Sequence, residues 1–242
     1  DIPNRLKRQF FVFNMILPST ASIDNIYGEM IRGRFTGDLF PRPVCDAARK
    51  LTTMTIKLWT WVQRSFLPTP KTFHYIFSMR ELSRVFQGLL AASPEVLDSE
   101  RVLLQLWRHE CLRVFSDKLT SAEAKQRFMR QLNEVALQNV SKKLGAELAL
   151  NRSPETYFVD FMGEDEFDAD GLMVAERELV CEEAASLDAV RDRVAEYLHQ
   201  YNEAFPAKAM QLVLFDDAVR HLTRIARLLN TPRGNALLVG VG

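Results

Sequence analysis

Residues 99–119, SERVLLQLWRHECLRVFSDKL, carry a hydrophobic pattern from which the fold class can be predicted. Apolar side chains recur in this stretch at three- and four-residue steps, at Leu104, Trp107, Cys111, Val114 and Phe115. This period places them on one face, so the stretch predicts an amphipathic α-helix with a buried side. Trp107 is therefore expected to be a core residue.

Helical patterns continue on both sides of this stretch. Ser22 can cap an upstream helix, and Ser78 with Glu81 has the spacing of a capping box at the start of another. Residues 121–140 carry a further helical pattern. A helix between the two caps has its apolar face formed by Val44, Ala47, Ala48, Leu51, Leu58 and Trp61. Together these segments predict a mainly α fold, with a bundle of about five helices between residues 21 and 162.

Short apolar stretches near both ends of the sequence read as strands. Phe10–Leu17 follows a short polar helix candidate, Pro3–Gln9, and residues 236–239 run into glycines after two predicted helices, 187–205 and 212–229. A strand buried on both faces needs sheet partners, and the helical bundle supplies none. We expect those partners to lie outside this sequence.

Residues 163–185 have an unusual charge balance. Only one cation, Arg177, stands against nine carboxylates: Glu164, Asp165, Glu166, Asp168, Asp170, Glu176, Glu178, Glu182 and Glu183. This balance favours a solvated loop or linker. It divides the bundle from a C-terminal unit, residues 186–242.

The composition excludes several classes of function. Lys+Arg and Asp+Glu both number 31, so no basic field favours nucleic acid or an anionic membrane as a partner. No apolar run is long enough to span a bilayer, and the start of the sequence lacks a signal-peptide pattern. Three widely spaced cysteines are unlike a disulfide framework or a metal site. We expect an internal piece of a soluble protein from a reducing compartment.

Two kinds of residue suggest phosphate chemistry. Gly240 and Gly242 follow an apolar strand, as in the start of the GxxxxGK[ST] phosphate loop, although an ordinary turn is the alternative. Arg5 and Arg8 lie one helical turn apart and can reach a phosphoryl group across a subunit boundary, or form a solvated pair. Arg80 near a helix start opposes the helix dipole, so a bound anion would compensate it.

The sequence WRHE at residues 107–110 invites comparison with the zinc-protease motif HExxH. Position 113 is Arg, so the second ligand is missing. We expect His109, Glu110 and Arg113 to form a polar network instead.

Four segments, in order, resemble axonemal dynein heavy chains of the outer-arm type: IPNRLKRQFFVFN at 2–14, YIFSMRELSR at 75–84, LWRHE at 106–110 and LFDDAVRHLTRIAR at 214–227. The resemblance implies that 1–20 ends the large α/β subdomain of the third AAA+ module and that 21–162 is its helical lid. Residues 163–185 would be an acidic loop or linker, and 186–242 would hold linking helices and the start of the fourth module.

The resemblance also implies roles for single residues. Arg5, with Arg8 as the rival, would be the arginine finger reaching the nucleotide of the second module. Arg80 would be the sensor-2 residue of the third module. The other implied nucleotide contacts are the adenine wall and phosphate loop of the fourth module: Val213, Leu214, Phe215, Gly240 and Gly242.

The implied function is that of a minus-end-directed microtubule motor of cilia and flagella, with ATP or ADP and Mg²⁺ as cofactors. The partners would be neighbouring AAA+ modules, microtubules reached through a distant coiled-coil stalk, and other dynein heavy, intermediate and light chains. We expect it in the cytoplasm, at the axoneme. The sequence holds no Walker A lysine and no Walker B strand, so the Mg²⁺ ligands lie elsewhere and this stretch alone should not hydrolyse ATP. A non-enzymatic helical scaffold and another AAA+ remodelling ATPase are the alternatives.

Overall fold

A computed structural model describes residues 2–16, 18–141, 143–145, 148, 156–163, 166–167, 173–175 and 179–240. The helices are α1 Asn4–Lys7, α2 Thr20–Arg34, α3 Arg42–Ser65, α4 Met79–Leu90, α5 Glu100–Phe115, α6 Ala122–Asn139, α7 Leu187–Ala204 and α8 Asp216–Leu229. The strands are β1 Tyr157–Val159, β2 Glu166–Phe167, β3 Met173–Ala175 and β4 Glu182–Ala184. The prediction of a mainly helical fold is confirmed.

The five helices α2 to α6 form the predicted bundle around α3. Trp107 is in the core as expected, and its indole Nε1 donates to Thr55 Oγ1 at 2.9 Å. On α3 the predicted Trp61 is partly buried and packs against the core, whereas Trp59, which the pattern missed, is fully part of it. Trp59 Nε1 donates to the Phe77 carbonyl at 3.1 Å, which satisfies its polar group inside the core.

Serine residues fix where the helices begin. The predicted capping box at α4 is present, with Ser78 N donating to Glu81 Oε2 at 2.8 Å. The predicted cap Ser22 is wrong by one turn, because α2 begins at Thr20 and the N-cap is Ser19. Ser19 Oγ accepts from Ser22 N at 3.1 Å, so Ser22 is the capped donor.

The two predicted terminal strands are not paired with any part of the chain that the structure describes. Residues 10–16 and 235–240 are not in helices or strands, and Phe11 and Leu237 are 95% and 89% exposed. The predicted helix Pro3–Gln9 is shorter, with four residues in α1. A strand is stable only beside a partner, and within the described residues none is available to either stretch.

Residues 163–185 were expected to form an acidic loop or linker. They contain strands β2, β3 and β4, so the prediction is wrong for these residues. β4 pairs with β1 antiparallel, with Tyr157 opposite Ala184, and β2 pairs with β3 antiparallel. Phe158 and Val159 on β1 are each 1% exposed, which anchors the pair. Arg101 Nη2 on α5 lies 2.9 Å from Glu183 Oε2, which compensates one carboxylate of the acidic stretch.

A second, smaller core joins β1 and β4 to the two C-terminal helices. Its buried members are Val159, Ala184, Val190, Val194 and Val219. This cluster holds α7 and α8 against the strands, and it brings α8 alongside the bundle. None of the helices in the described ranges is long and apolar enough to cross a membrane.

Candidate functional site

The carboxylate of Glu110 on α5 is fully buried and is held by two arginines. Arg113 Nη2 donates to Oε2 at 2.6 Å, and Arg227 Nη2 donates to Oε1 at 3.1 Å. Arg113 lies one turn along the same helix, so its proximity follows from helix geometry. Arg227 comes from α8. One buried carboxylate therefore ties the bundle to the C-terminal unit.

The electrostatics of this group keep it ionised. Burial alone would raise the pKa of Glu110, but Arg113 and Arg227 outweigh burial and hold it below its usual value. Burial would likewise lower the pKa of Arg227, but Glu110 raises it. Removing one partner of a buried ion pair typically costs about 3–5 kcal/mol, because the other charge is left uncompensated. The pair thus fixes how α5 and α8 meet.

Gly88 on α4 leaves the room that this carboxylate occupies. A Cβ atom added at Gly88 would lie 2.2 Å from the Glu110 carboxyl carbon, closer than two such atoms can approach. The Gly88 carbonyl also accepts from Arg227 Nη2 at 3.5 Å. Helices α4, α5 and α8 therefore converge at one point. The only sequence signal for Gly88 is an isolated glycine within a helical pattern, which is tolerated there at a cost of about 1 kcal/mol relative to Ala.

Further contacts tie α8 to the bundle and strands on either side of Arg227. Arg224 Nε lies 2.7 Å from Asp117 Oδ2, just beyond the end of α5. Asn230 Nδ2 donates to Asp160 Oδ2 at 2.7 Å, and Arg220 Nε donates to the Tyr157 hydroxyl at 3.3 Å. These contacts therefore hold α8 at several positions along its length.

The predicted polar network of His109, Glu110 and Arg113 is confirmed only for the last two. His109 Nδ1 instead donates to the Thr156 carbonyl at 2.8 Å, which fixes the ring on the segment leading into β1. Burial lowers the pKa of His109. Among the residues with described positions, no group of three or more His, Cys, Asp or Glu residues could hold a metal ion.

Arg80 lies in the first turn of α4, with its side chain exposed. Its neighbour Glu81 turns inward and pairs with Lys118 at 2.6 Å. Gln63 on α3 donates to the Phe77 carbonyl at 2.7 Å, just before this turn. The backbone beneath Arg80 is thus fixed to the bundle core, while its side chain is exposed.

Arg5 on α1 and Arg8 at its C-terminal end are also exposed. Within the described part of the chain, neither side chain has a hydrogen-bond or ion-pair partner, and the same holds for Arg80. The structure therefore brings none of these three arginines into a shared site.

The residues proposed for the next nucleotide pocket are mostly exposed. Leu214 packs against the smaller core, whereas Val213 and Phe215 are 82% and 60% exposed. A Cβ added at Gly240 would meet no atom within 4 Å, so its backbone is open to approach. Gly242 lies outside the described residues.

Two family models match the sequence in the same order as the two parts of the structure. Residues 38–125 match the ATPase lid domain of the dynein heavy chain, and residues 210–242 match the P-loop containing dynein motor region D4. Most of the bundle therefore lies in the stretch that matches the lid, and α8 lies in the stretch that matches the P-loop region.

The similarity to individual proteins extends over the whole chain. It is 41% identical to Dynein axonemal heavy chain 5 of Mus musculus over 252 residues and 42% identical to Dynein gamma chain, flagellar outer arm, of Chlamydomonas reinhardtii over 264 residues. The chain belongs to the axonemal dynein heavy chains, as its resemblance predicted. These alignments cover 100% of this chain but only 5% and 6% of the two relatives.

Proposed function

We propose that this chain is the joint between the third and fourth AAA+ modules of a ciliary dynein motor ring. In this role, the lid of one module and the first helix of the next move together when nucleotide binds or leaves. The observation that carries the proposal is the buried contact of Glu110 on α5 with Arg227 on α8, at 3.1 Å.

Rigid coupling needs more than one point of attachment. A single contact would act as a pivot, whereas the Arg224–Asp117 and Asn230–Asp160 contacts lie on either side of Arg227 along α8. Contacts at several points along one helix favour movement as a body over gradual bending. Tilting of the lid would therefore displace the start of the next module.

The nucleotide contacts proposed for the site residues fit this role. Arg80 would contact the nucleotide of the third module, and Arg5, or Arg8 in its place, that of the second. Val213, Leu214 and Phe215 would help wall the adenine pocket of the fourth module, and Gly240 and Gly242 would open its phosphate loop. ATP or ADP would be bound with Mg²⁺, whose ligands lie outside this sequence, as would the microtubule-binding stalk.

The cellular setting follows from the same proposal. The heavy chain would act at the axoneme of a cilium or flagellum with other dynein heavy, intermediate and light chains. Neither nucleic acid nor membrane is proposed as a partner, in keeping with equal numbers of cationic and anionic residues, 31 each.

The proposal is tested in a full-length heavy chain by Arg227→Met, which retains most of the side-chain length but removes the charge. We expect several-fold slower microtubule gliding, with ATP still bound, because the lid no longer drives the next module. The matched control is Arg84→Met on α4, whose exposed side chain has no partner among the described residues.

Gliding by Arg227→Met at the speed of the Arg84→Met control would refute the joint. If Arg227→Met does not fold, Arg224→Gln is tested in its place. Arg224 forms an ion pair with Asp117, and the two side chains are 41% and 28% exposed, so the loss of this pair costs little stability.

A further inference from the structure

A cavity of about 630 Å³ lies between α5, α6, β1 and α8, on the side of α8 that faces the bundle. Its volume is in the range of small-molecule sites, roughly 300–1,000 Å³. None of the residues proposed to contact nucleotide lines it. One carboxylate, Asp117, lines this cavity, against six cations: Arg113, Lys125, Arg130, Arg220, Arg224 and Arg227.

Four of these cations already have carboxylate partners. Arg113 and Arg227 share Glu110, Arg224 pairs with Asp117, and Arg220 pairs with Asp217 at 2.9 Å. The remaining two, Lys125 and Arg130, lie on α6. Across the described ranges, neither has a side-chain hydrogen bond or an ion pair. The positive charges on the cavity wall therefore outnumber the carboxylates that pair with them.

Apolar groups complete the wall. Leu112, Met129 and Tyr157 line the cavity beside the cations. Guanidinium and ammonium groups bind phosphate and carboxylate oxygens by charge-assisted hydrogen bonds, which are stronger than neutral ones. A wall of this kind suits a ligand with several anionic oxygens on a small body.

We propose that this cavity binds a small, multiply charged oxyanion, either a phosphate or a polycarboxylate, through Lys125 and Arg130 on α6 and the arginines of α8. Such a ligand bridges the lid and α8. The site is separate from the nucleotide pockets, and binding to it does not depend on whether the joint transmits movement.

Titration calorimetry of the 242-residue chain tests the site, with pyrophosphate and citrate as the two probes. We expect saturable binding with one site per chain, weakened by added salt because the contacts are ionic. The variant Lys125→Ala/Arg130→Ala should bind about tenfold more weakly or worse, since two charge-assisted contacts are lost. Both side chains are exposed, so the variant should fold as the parent does.

The matched control is Arg127→Ala on the same helix. Arg127 does not line the cavity and instead lies over the rings of Trp61 and Phe66, at 5.5 and 5.8 Å. Its loss should leave binding unchanged. If Lys125→Ala/Arg130→Ala does not fold, the single variant Lys125→Gln replaces it.

Tighter binding of pyrophosphate assigns the site to phosphates, and tighter binding of citrate assigns it to polycarboxylates. The proposal is overturned if neither probe saturates, or if Arg127→Ala weakens binding as much as the α6 variant. It is also overturned if an acidic peptide of glutamates binds more tightly than both probes, because the surface would then serve a protein partner.

Discussion

Arg227 Nη2 lies 3.1 Å from Glu110 Oε1, although 117 residues separate the two along the chain. Glu110 falls in the stretch that matches the dynein lid, and Arg227 falls in the stretch that matches the P-loop region D4. The contact therefore joins the two parts of the sequence that the family models recognise separately. Because the Glu110 carboxylate is buried, separating the two parts would either expose its charge or leave that charge without its partner.

The first prediction concerns the carboxylate itself. Glu110→Ala leaves Arg113 and Arg227, whose side chains are only 18% and 12% exposed, without their partner, so we expect the free energy of unfolding to fall by about 3–5 kcal/mol. Urea denaturation of the 242-residue chain measures this. The matched control, Glu134→Ala on the exposed face of α6, should change stability by less than about 0.5 kcal/mol. Equal effects of the two variants would show that Glu110 is not a structural link.

The second prediction uses two glycines. Gly88→Ala places a Cβ 2.2 Å from the Glu110 carboxyl carbon, and two arginines prevent that group from moving aside. We expect a loss of about 1–3 kcal/mol, typical of overpacking. Gly33→Ala on α2 meets no atom within 4 Å. It should instead stabilise the chain, by up to about 1 kcal/mol, through helix propensity. Effects of the same sign in both variants would contradict the close approach at Gly88.

The third prediction is a pH dependence of stability. The pKa of His109 is lowered by burial from the ordinary value of 6.5, so below that pH the unfolded chain binds a proton that the folded chain does not. The free energy of unfolding should therefore fall as the pH is lowered through 6.5 toward the folded pKa. The slope from this one proton is at most about 1.4 kcal/mol per pH unit.

Urea denaturation at several pH values measures the slope, and a histidine variant assigns it. His109→Gln should flatten it. A slope that persists in His109→Gln would assign the dependence to other groups.

The fourth prediction concerns Arg80 in a full-length motor. If this side chain reports nucleotide to the lid, Arg80→Ala should slow ATP-dependent release from microtubules several-fold. Arg84→Ala, one turn further along α4 and also exposed, should release normally. Stopped-flow release kinetics separate the two variants. Normal release by Arg80→Ala would leave Arg80 with no role in nucleotide sensing.

Local patterns predicted the helices well, because their signals lie within a few residues. The capping box of Ser78 and Glu81 is an example, and the burial of Trp107 follows from the period of α5. Where two nearby residues can both cap a helix, the sequence does not show which of them does. Ser22 was predicted as a cap although Ser19 fills that role, since both serines lie within one turn.

The sequence could not predict contacts between distant segments. Glu110 and Arg113 were paired in advance because they lie one turn apart, but nothing in the local pattern indicates Arg227 as the second partner. β4 was missed for a similar reason. Its sequence is acidic, and its pairing depends on β1, 25 residues upstream, where Phe158 and Val159 are buried.

The most direct test of the joint is a distance measured between the lid and α8 in the working motor. Spin labels placed at Glu134 on α6 and His221 on α8, which are both exposed, report that distance by pulsed electron paramagnetic resonance. A lid and α8 that move as one body keep the same distance distribution with ATP, with ADP and without nucleotide, and Arg227→Met broadens it. A distribution that shifts by several ångströms between nucleotide states in the unsubstituted motor would contradict the joint.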